Sequence, residues 1–204
     1  MATLCAQITK DQTKNCDTPV TSGNESTLYI ANRSDIATMV PDATNKNIIR
    51  SITMKTGKKF FKYEGSRTSL KPRFTTVRNL NLGVTFYKHE VDAVIFDWSS
   101  AIKLEIEQLA NGDFVAITVN KYKTNDAAIE IYGMEIGLVM KDGAIRDLNG
   151  TDFGANFPFG LESLEGQEEP HTPASFAVLG TGTPGAYSYA ATITALDALT
   201  VVAS

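Results

Sequence analysis

A histidine four residues from another on a helix can hold zinc, and the segment His89-Glu90-Val91-Asp92 offers half of that pattern. The second histidine is missing, so a metalloprotease site fails on spacing. The other histidine of the chain, His171, lies between Pro170 and Pro173 in a loop, and both read as surface residues. Gly180-Thr181-Gly182-Thr183-Pro184-Gly185 matches the dinucleotide fingerprint by letter. That fingerprint must open a helix, yet Ala186 to Thr194 alternates like a strand, so the glycines read as a turn. Asp147-Leu148-Asn149-Gly150-Thr151-Asp152 begins like a calcium loop, but its glycine comes early and Pro158 stands where a bidentate glutamate belongs. Glu162, Glu165, Glu168 and Glu169 could pair as acid and base only if an apolar neighbour split their proton affinities, so they read as a wet acidic edge. Ser99 and Ser100 have no histidine within sequence reach to activate them. Cys5 and Cys16 lack the partners that a disulfide framework or a zinc site needs, and read as free thiols. The expectation is a protein that is not an enzyme and holds no cofactor and no metal.

The elements that would carry these residues centre on Val91 to Val119. At about 100 degrees per residue, Val91, Ile95, Trp98, Ile102, Ile106 and Leu109 share an arc of roughly 80 degrees, which predicts a helix over 91–110 with those six residues facing the core. A strand competes, because Ile102, Leu104 and Ile106 alternate with Lys103, Glu105 and Glu107. Asn111-Gly112 supplies a left-handed stop, and Phe114 to Val119 resumes as strand. Leu28 to Ile30, Ile48 to Lys55, Phe74 to Val77 and Leu82 to Tyr87 read as strands before the helix. Ala128 to Met140, Phe159 to Leu164, Ser175 to Leu179 and Ala186 to Thr194 read as strands after it. Strands separated by Gly and Pro turns, plus one helix, predict a mainly β fold: an antiparallel β-sandwich or partial barrel with one flanking α-helix and a long projecting β-hairpin.

The 204 residues, 43% hydrophobic and 21% charged, suit one domain with one core. Within it, 1–25 reads as an N-terminal arm and 45–79 as the projecting hairpin. No apolar run is long enough to span a membrane, and Met1 to Leu4 does not begin a secretory signal, so the chain is expected to be made in a cytoplasm and stay there.

The formal net charge of −4 hides a separation of charge along the chain. From Lys46 to Arg78 ten basic residues stand against the single acid Glu64; from Thr124 to Ser204 eleven acids stand against Lys141 and Arg146. Three readings compete. The basic segment, with Phe60, Phe61, Tyr63 and Phe74 interleaved, could grip nucleic acid; it could be a solvated face; or it could meet the acidic surface of another copy, a contact that generates rings or filaments. The acidic second half argues against a dedicated nucleic-acid binder, since it would repel the same ligand. The self-assembly reading places Lys55, Lys58, Lys59, Phe60, Phe61, Lys62, Tyr63, Arg67, Lys71 and Arg73 at a contact between subunits. Glu162, Glu165, Glu168 and Glu169 become either the opposing contact or the lining of a lumen.

The order of these parts resembles the major tail tube proteins of tailed phages. It runs from an N-terminal arm through a basic hairpin at 48–76 to FYKHEVDAVIFDWSSAIKLEIEQLANGDFVAITV, then AAIEIYGMEIGLVMKDGAIRDL and the acidic LESLEGQEEP before the last strands. The resemblance is one of architecture across most of the chain and has no short signature. It implies a β-sandwich with a flanking helix, six copies in a ring, and rings stacked into the tube through which DNA is ejected. It further implies a virion protein of the phage tail, assembled in the host cytoplasm. Its partners would be itself, the tape measure, the tail terminator, and distal tail or baseplate proteins; DNA would pass without specific binding, and no membrane would be involved. The alternatives are a capsid decoration or head-to-tail connector protein, and a nucleic-acid-binding β-rich module.

Overall fold

The computed structural model describes residues 23–66, 68–79, 83–144, 146, 156–182 and 185–202. Most of the expected N-terminal arm, Cys5, Cys16, Arg67 and the 147–152 loop lie outside the described residues. In chain order the first strands are β1 (Asn24–Asn32), β2 (Ile36–Pro41), β3 (Ile48–Met54), β4 (Phe61–Glu64), β5 (Lys71–Asn79) and β6 (Val84–Ile95). Helix α1 (Ser100–Ala110) follows, then β7 (Phe114–Asn120), β8 (Ile129–Tyr132), β9 (Val139–Met140), β10 (Phe157–Glu162), β11 (Ala174–Phe176) and helix α2 (Tyr189–Ala198).

These strands build two sheets, one in the order β2-β3-β11-β8-β7-β1-β4 and one in the order β5-β6-β10-β9. Strand β11 runs parallel to β3; the other strand pairings are antiparallel. The fold is therefore mainly β, an antiparallel-rich sandwich flanked by helix. Because strand side chains alternate between faces, β1 and β7 supply two cores at once. Leu28, Ile30, Phe114 and Ala116 pack against Val91, Ala93, Ile95, Phe159 and Leu161 of the smaller sheet, with Ile102, Ile106 and Leu109 of α1 at its margin. Tyr29, Ala31, Val115, Ile117 and Val119 face the other way, onto Leu196, Ile193 and Tyr189 of α2.

Three expectations are corrected. The helix begins at Ser100, where the Ser99 hydroxyl accepts from the Ile102 amide, and not at Val91. Val91 and Ile95 lie in β6, paired to β10 across Phe157 to Glu162, and Trp98 is an exposed residue in the intervening segment. The reason is visible in the residues themselves: Lys88, Glu90 and Asp92 alternate with His89, Val91, Ala93 and Ile95, a strand period that continues into the apparent helix. Of the six proposed core-facing helix residues, only Ile102, Ile106 and Leu109 are in α1. The helix does stop at Asn111-Gly112, but without left-handed backbone, since Asn111 has φ −117°. Gly112 is required for space, because a β-carbon there would sit 2.0 Å from the Phe114 ring.

Residues 186–194 do not form the strand that their alternation predicts, because the chain enters α2 at Tyr189. Ser188 caps it by accepting from the Ala191 amide, and Thr192 Oγ1 accepts from the Val178 amide at 2.9 Å, tying the helix to the segment just after β11. The glycine segment therefore does precede a helix. Its first amide, Gly180, is already committed to the Ala186 carbonyl at 2.8 Å, which is a turn contact and not a phosphate cradle.

Residues 45–79 do not form the projecting hairpin that their extended, basic character predicts. Residues 48–54 and 61–64 are built into opposite ends of the larger sheet, where β3 pairs with β2 and β11, and β4 pairs with β1. The long hairpin is β5 with β6, in register from Lys71 opposite Asp92 to Asn79 opposite Val84.

Candidate functional site

The most concentrated polar chemistry in the described residues lies where the base of the β5–β6 hairpin meets the turn after β8. That turn is Gly133-Met134-Glu135-Ile136-Gly137, with positive φ at both glycines (71° and 102°). A β-carbon at Gly137 would fall 1.7 Å from Asp113 Oδ1, and one at Gly133 would fall 2.5 Å from Leu138 Cγ. The resulting bend turns three consecutive amides inward onto one carboxylate. Glu169 accepts from Glu135 (3.0 Å to Oε2), Ile136 (2.8 Å to Oε1) and Gly137 (3.1 Å to Oε1). Its side chain is 2% exposed, so these bonds stand in for the water the charge has lost. The backbone of Glu169 pairs in both directions with Tyr87 on β6.

His89 is buried beside it, also at 2%. Its Nε2 lies 3.0 Å from the His171 carbonyl, which can only accept, so Nε2 carries the proton. Its Nδ1 then accepts from the Gly133 amide at 3.2 Å. Tyr132 stands edge-on to the imidazole, with centroids 5.6 Å apart, and donates its hydroxyl to Glu130 at 2.7 Å. Burial pushes the His89 imidazole below its ordinary value, with the Glu169 charge opposing. Around the rim, Arg33 donates to the Glu135 carbonyl and approaches Asp113 at 3.9 Å, while the His171 ring lies 3.7 Å from Glu135 Oε1. Burial raises the Asp113 carboxyl, and Arg33 opposes that rise. A cleft of about 530 Å³ opens next to this rim, floored by Ile36, Met39, Ile49, Val115 and Met134.

His89 and Glu169, which read as surface residues in the sequence, are both buried. His89 was detectable as the inward member of the β6 alternation. No sequence signal marks Glu169, because its partners are main-chain amides of a distant turn.

Of the remaining site residues, Lys59, Phe60, Phe61, Lys62 and Tyr63 line one cleft with Phe96 and Glu105, and Lys55, Lys58, Lys71 and Arg73 are not part of it. Phe60 is fully buried, with its amide bonded to the Leu199 carbonyl, so it is a core residue and not a contact residue. Lys58 pairs with Asp35 at 3.1 Å, and Lys62 with Glu64 at 3.6 Å. Lys59 lies over the exposed Phe61 ring. Tyr63 donates to Glu105 at 2.7 Å and packs on Phe159. Lys55 and Lys71 are exposed, as is Glu165, and Glu168 is half-buried.

Arg73 and Glu162 belong to a lattice of charges on the outer face of the smaller sheet. Arg73 binds Glu90 and reaches Asp92 at 2.5 Å; Lys88 reaches Glu162 at 2.8 Å and Glu90 at 3.4 Å; Lys141 lies within 4.0 Å of Glu90 and Glu162. Burial works against ionisation of Glu90, but Arg73, followed by Lys141 and Lys88, keeps its carboxyl below the ordinary range. A large share of the basic segment is thus neutralised by acids of the same chain.

The distal half of the β5–β6 hairpin is different. From Phe74 to Tyr87 its described residues are exposed or half-buried, and Phe74 and Val84 present large apolar side chains at 47% and 42% exposure. Strand β5 forms one edge of its sheet. Among the described residues, strands β9, β2 and β4 are the other edges, and neither sheet closes on itself.

The architecture defines the class, a mainly β sandwich flanked by helix. No family model, curated protein or solved structure matches the chain. No helix among the described residues is long and apolar enough to cross a membrane.

Proposed function

We propose that this protein is a self-assembling structural subunit of the tail tube kind, in which open sheet edges and an uncovered hairpin on one copy are completed by its neighbours. The observation that carries the reading is the distal β5–β6 hairpin: a nine-residue edge strand, Lys71–Asn79, with one side unpaired among the described residues and Phe74 and Val84 largely exposed to water. A long edge with apolar side chains is an aggregation hazard unless something covers it, and a second copy covers it at low entropic cost because the strand is already formed. The resemblance to tail tube proteins supplies the assembly, hexameric rings stacked into a conduit for DNA. The retained partners are other copies and the proteins that cap such a tube.

The basic segment contributes less than its charge suggests. Arg73, Lys58 and Lys62 already have acids of their own, and exposed pairs give only about 0 to 1 kcal/mol. Apolar contact at the hairpin must therefore drive association, with charge setting orientation.

Negative-stain microscopy of concentrated protein tests this directly. Rings or tubes are expected from the wild type and none from Phe74→Asp with Val84→Asp, whose melting temperature should be unchanged. A wild-type protein that stays monomeric at every concentration, or a double variant that assembles as well as the wild type, overturns the proposal.

A further inference from the structure

His89 and Glu169 hold the same turn from two sides. Glu169 takes the amides of Glu135, Ile136 and Gly137, and His89 takes the amide of Gly133. Both are anchored to the base of the long hairpin, His89 as part of β6 and Glu169 through its paired backbone contact with Tyr87. The segment 163–171 is held by the same groups: Ser163 donates its amide to the His89 carbonyl at 2.9 Å, and the His171 carbonyl accepts from His89 Nε2.

We propose that His89 and Glu169 form a proton-operated latch joining the 133–137 turn and the 163–171 segment to the hairpin base, closed while His89 is neutral and opened when it is protonated. The reason is donor counting. A neutral imidazole has one donor and one acceptor, and both are used, Nε2–H by a carbonyl and Nδ1 by an amide. Protonation converts Nδ1 into a second donor facing the Gly133 N–H, so that bond is lost and two donors confront each other. The new charge is attracted to Glu169, which draws that carboxylate away from the three amides it now satisfies.

The groups around His89 sort into those that favour its charge and those that respond to it. Glu169 favours it directly. Glu130 lies behind the Tyr132 hydroxyl, and Asp113 is held by Arg33 on the far side of the turn. Glu135 faces the His171 ring, with Oε1 3.7 Å from its Nε2. Lys88 and Glu90 point to the opposite face of β6, into the charge lattice. The sign follows from Nδ1 accepting the Gly133 amide, which only a neutral ring allows, and from burial holding the imidazole below its ordinary value of about 6.5: the latch stays closed through that value and opens as pH falls through the lower folded one. This inference concerns the single subunit and does not depend on assembly.

The test uses the full chain at low concentration, with imidazole nitrogen NMR and amide hydrogen exchange corrected for intrinsic rates, from pH 7.5 to pH 4. At pH 7.5 His89 should be the Nε2–H tautomer. As it titrates, the amides of Gly133, Glu135, Ile136, Gly137 and Glu169 should lose protection together, by tenfold or more, while those of Ile117 and Val119 in β7 hold. His171→Asn removes the neighbouring ring but keeps its carbonyl, and should leave the transition in place. Glu169→Gln removes the charge but keeps an acceptor oxygen, and should move the His89 titration to lower pH. An Nδ1–H tautomer, turn amides that stay protected through the His89 titration, loss of β7 protection in step with them, or disappearance of the transition in His171→Asn would each overturn the latch.

Discussion

Strand β7 loses both faces to packing, with Val115, Ile117 and Val119 toward α2 and Phe114 and Ala116 toward the facing sheet, whereas β6 buries Val91, Ala93 and Ile95 and sends Lys88, Glu90 and Asp92 outward. A strand covered on both sides gains from every apolar residue and has no room for a solvated charge. A strand covered on one side can spend alternate positions on ion pairs, and here those pairs knit three neighbouring strands together. The larger sheet is thus held by burial, and the smaller one by burial on one face and charge on the other. The smaller sheet's hairpin then runs on past the packed region, where its described residues are only exposed or half-buried and Phe74 stands edge-on to Tyr87.

Truncating the doubly covered strand should do the most damage. Ile117→Ala removes a fully buried side chain between α2 and the sheet and is expected to cost about 2 to 5 kcal/mol in denaturant unfolding. A loss under about 1 kcal/mol would mean that the α2 face is not close-packed. Removing the α2 cap with Ser188→Ala should cost about 1 kcal/mol, since one helix-end amide loses its acceptor. Glu90→Gln probes the charged face of the smaller sheet and should cost roughly 1 kcal/mol or less at neutral pH, discounted because Arg73 is well exposed to solvent. Its signature lies in pH dependence. The folded Glu90 carboxyl is depressed, so its contribution is complete above the ordinary carboxylate value of about 4.3 and is lost as pH falls through the folded value. The variant's stability should therefore fall less steeply between about pH 4.5 and 3 than the wild type's, and parallel pH profiles would show that the lattice contributes nothing. The smallest stability effect belongs to the uncovered hairpin, where Phe74→Ser should change the unfolding free energy by less than about 0.5 kcal/mol.

The same contrast explains what could be read from the residues. Leu28 to Ile30, Ile48 to Lys55 and Phe114 to Val119 were legible because β-branched runs between turn residues have few other outcomes. The stretch around Val91 was misread because Val91, Ile95 and Trp98 satisfy a helical period as well as a strand period, and only the polar partners Lys88, Glu90 and Asp92 break the tie. Helix α2, Tyr-Ala-Ala-Thr-Ile-Thr-Ala-Leu-Asp-Ala, carries small or apolar residues on most sides, so no stripe identifies it. The basic segment looked like a limb because charge along the chain says nothing about which strands will become neighbours. The buried His89 and Glu169 stayed hidden for a related reason, since their satisfaction comes from backbone groups that only the completed fold brings near.

The parallel pairing of β11 with β3 has a consequence for how the molecule is made. Strand β11 is inserted between β3 and β8, so the β2–β3 ribbon, synthesised early, has no seat in the larger sheet until Ala174–Phe176 has left the ribosome. The earlier strands of the larger sheet must therefore wait, with that sheet incomplete, for a three-residue keystone far along the chain. That long-range closure should make folding slow and leave the β3 edge exposed to chaperones and to sister chains throughout translation.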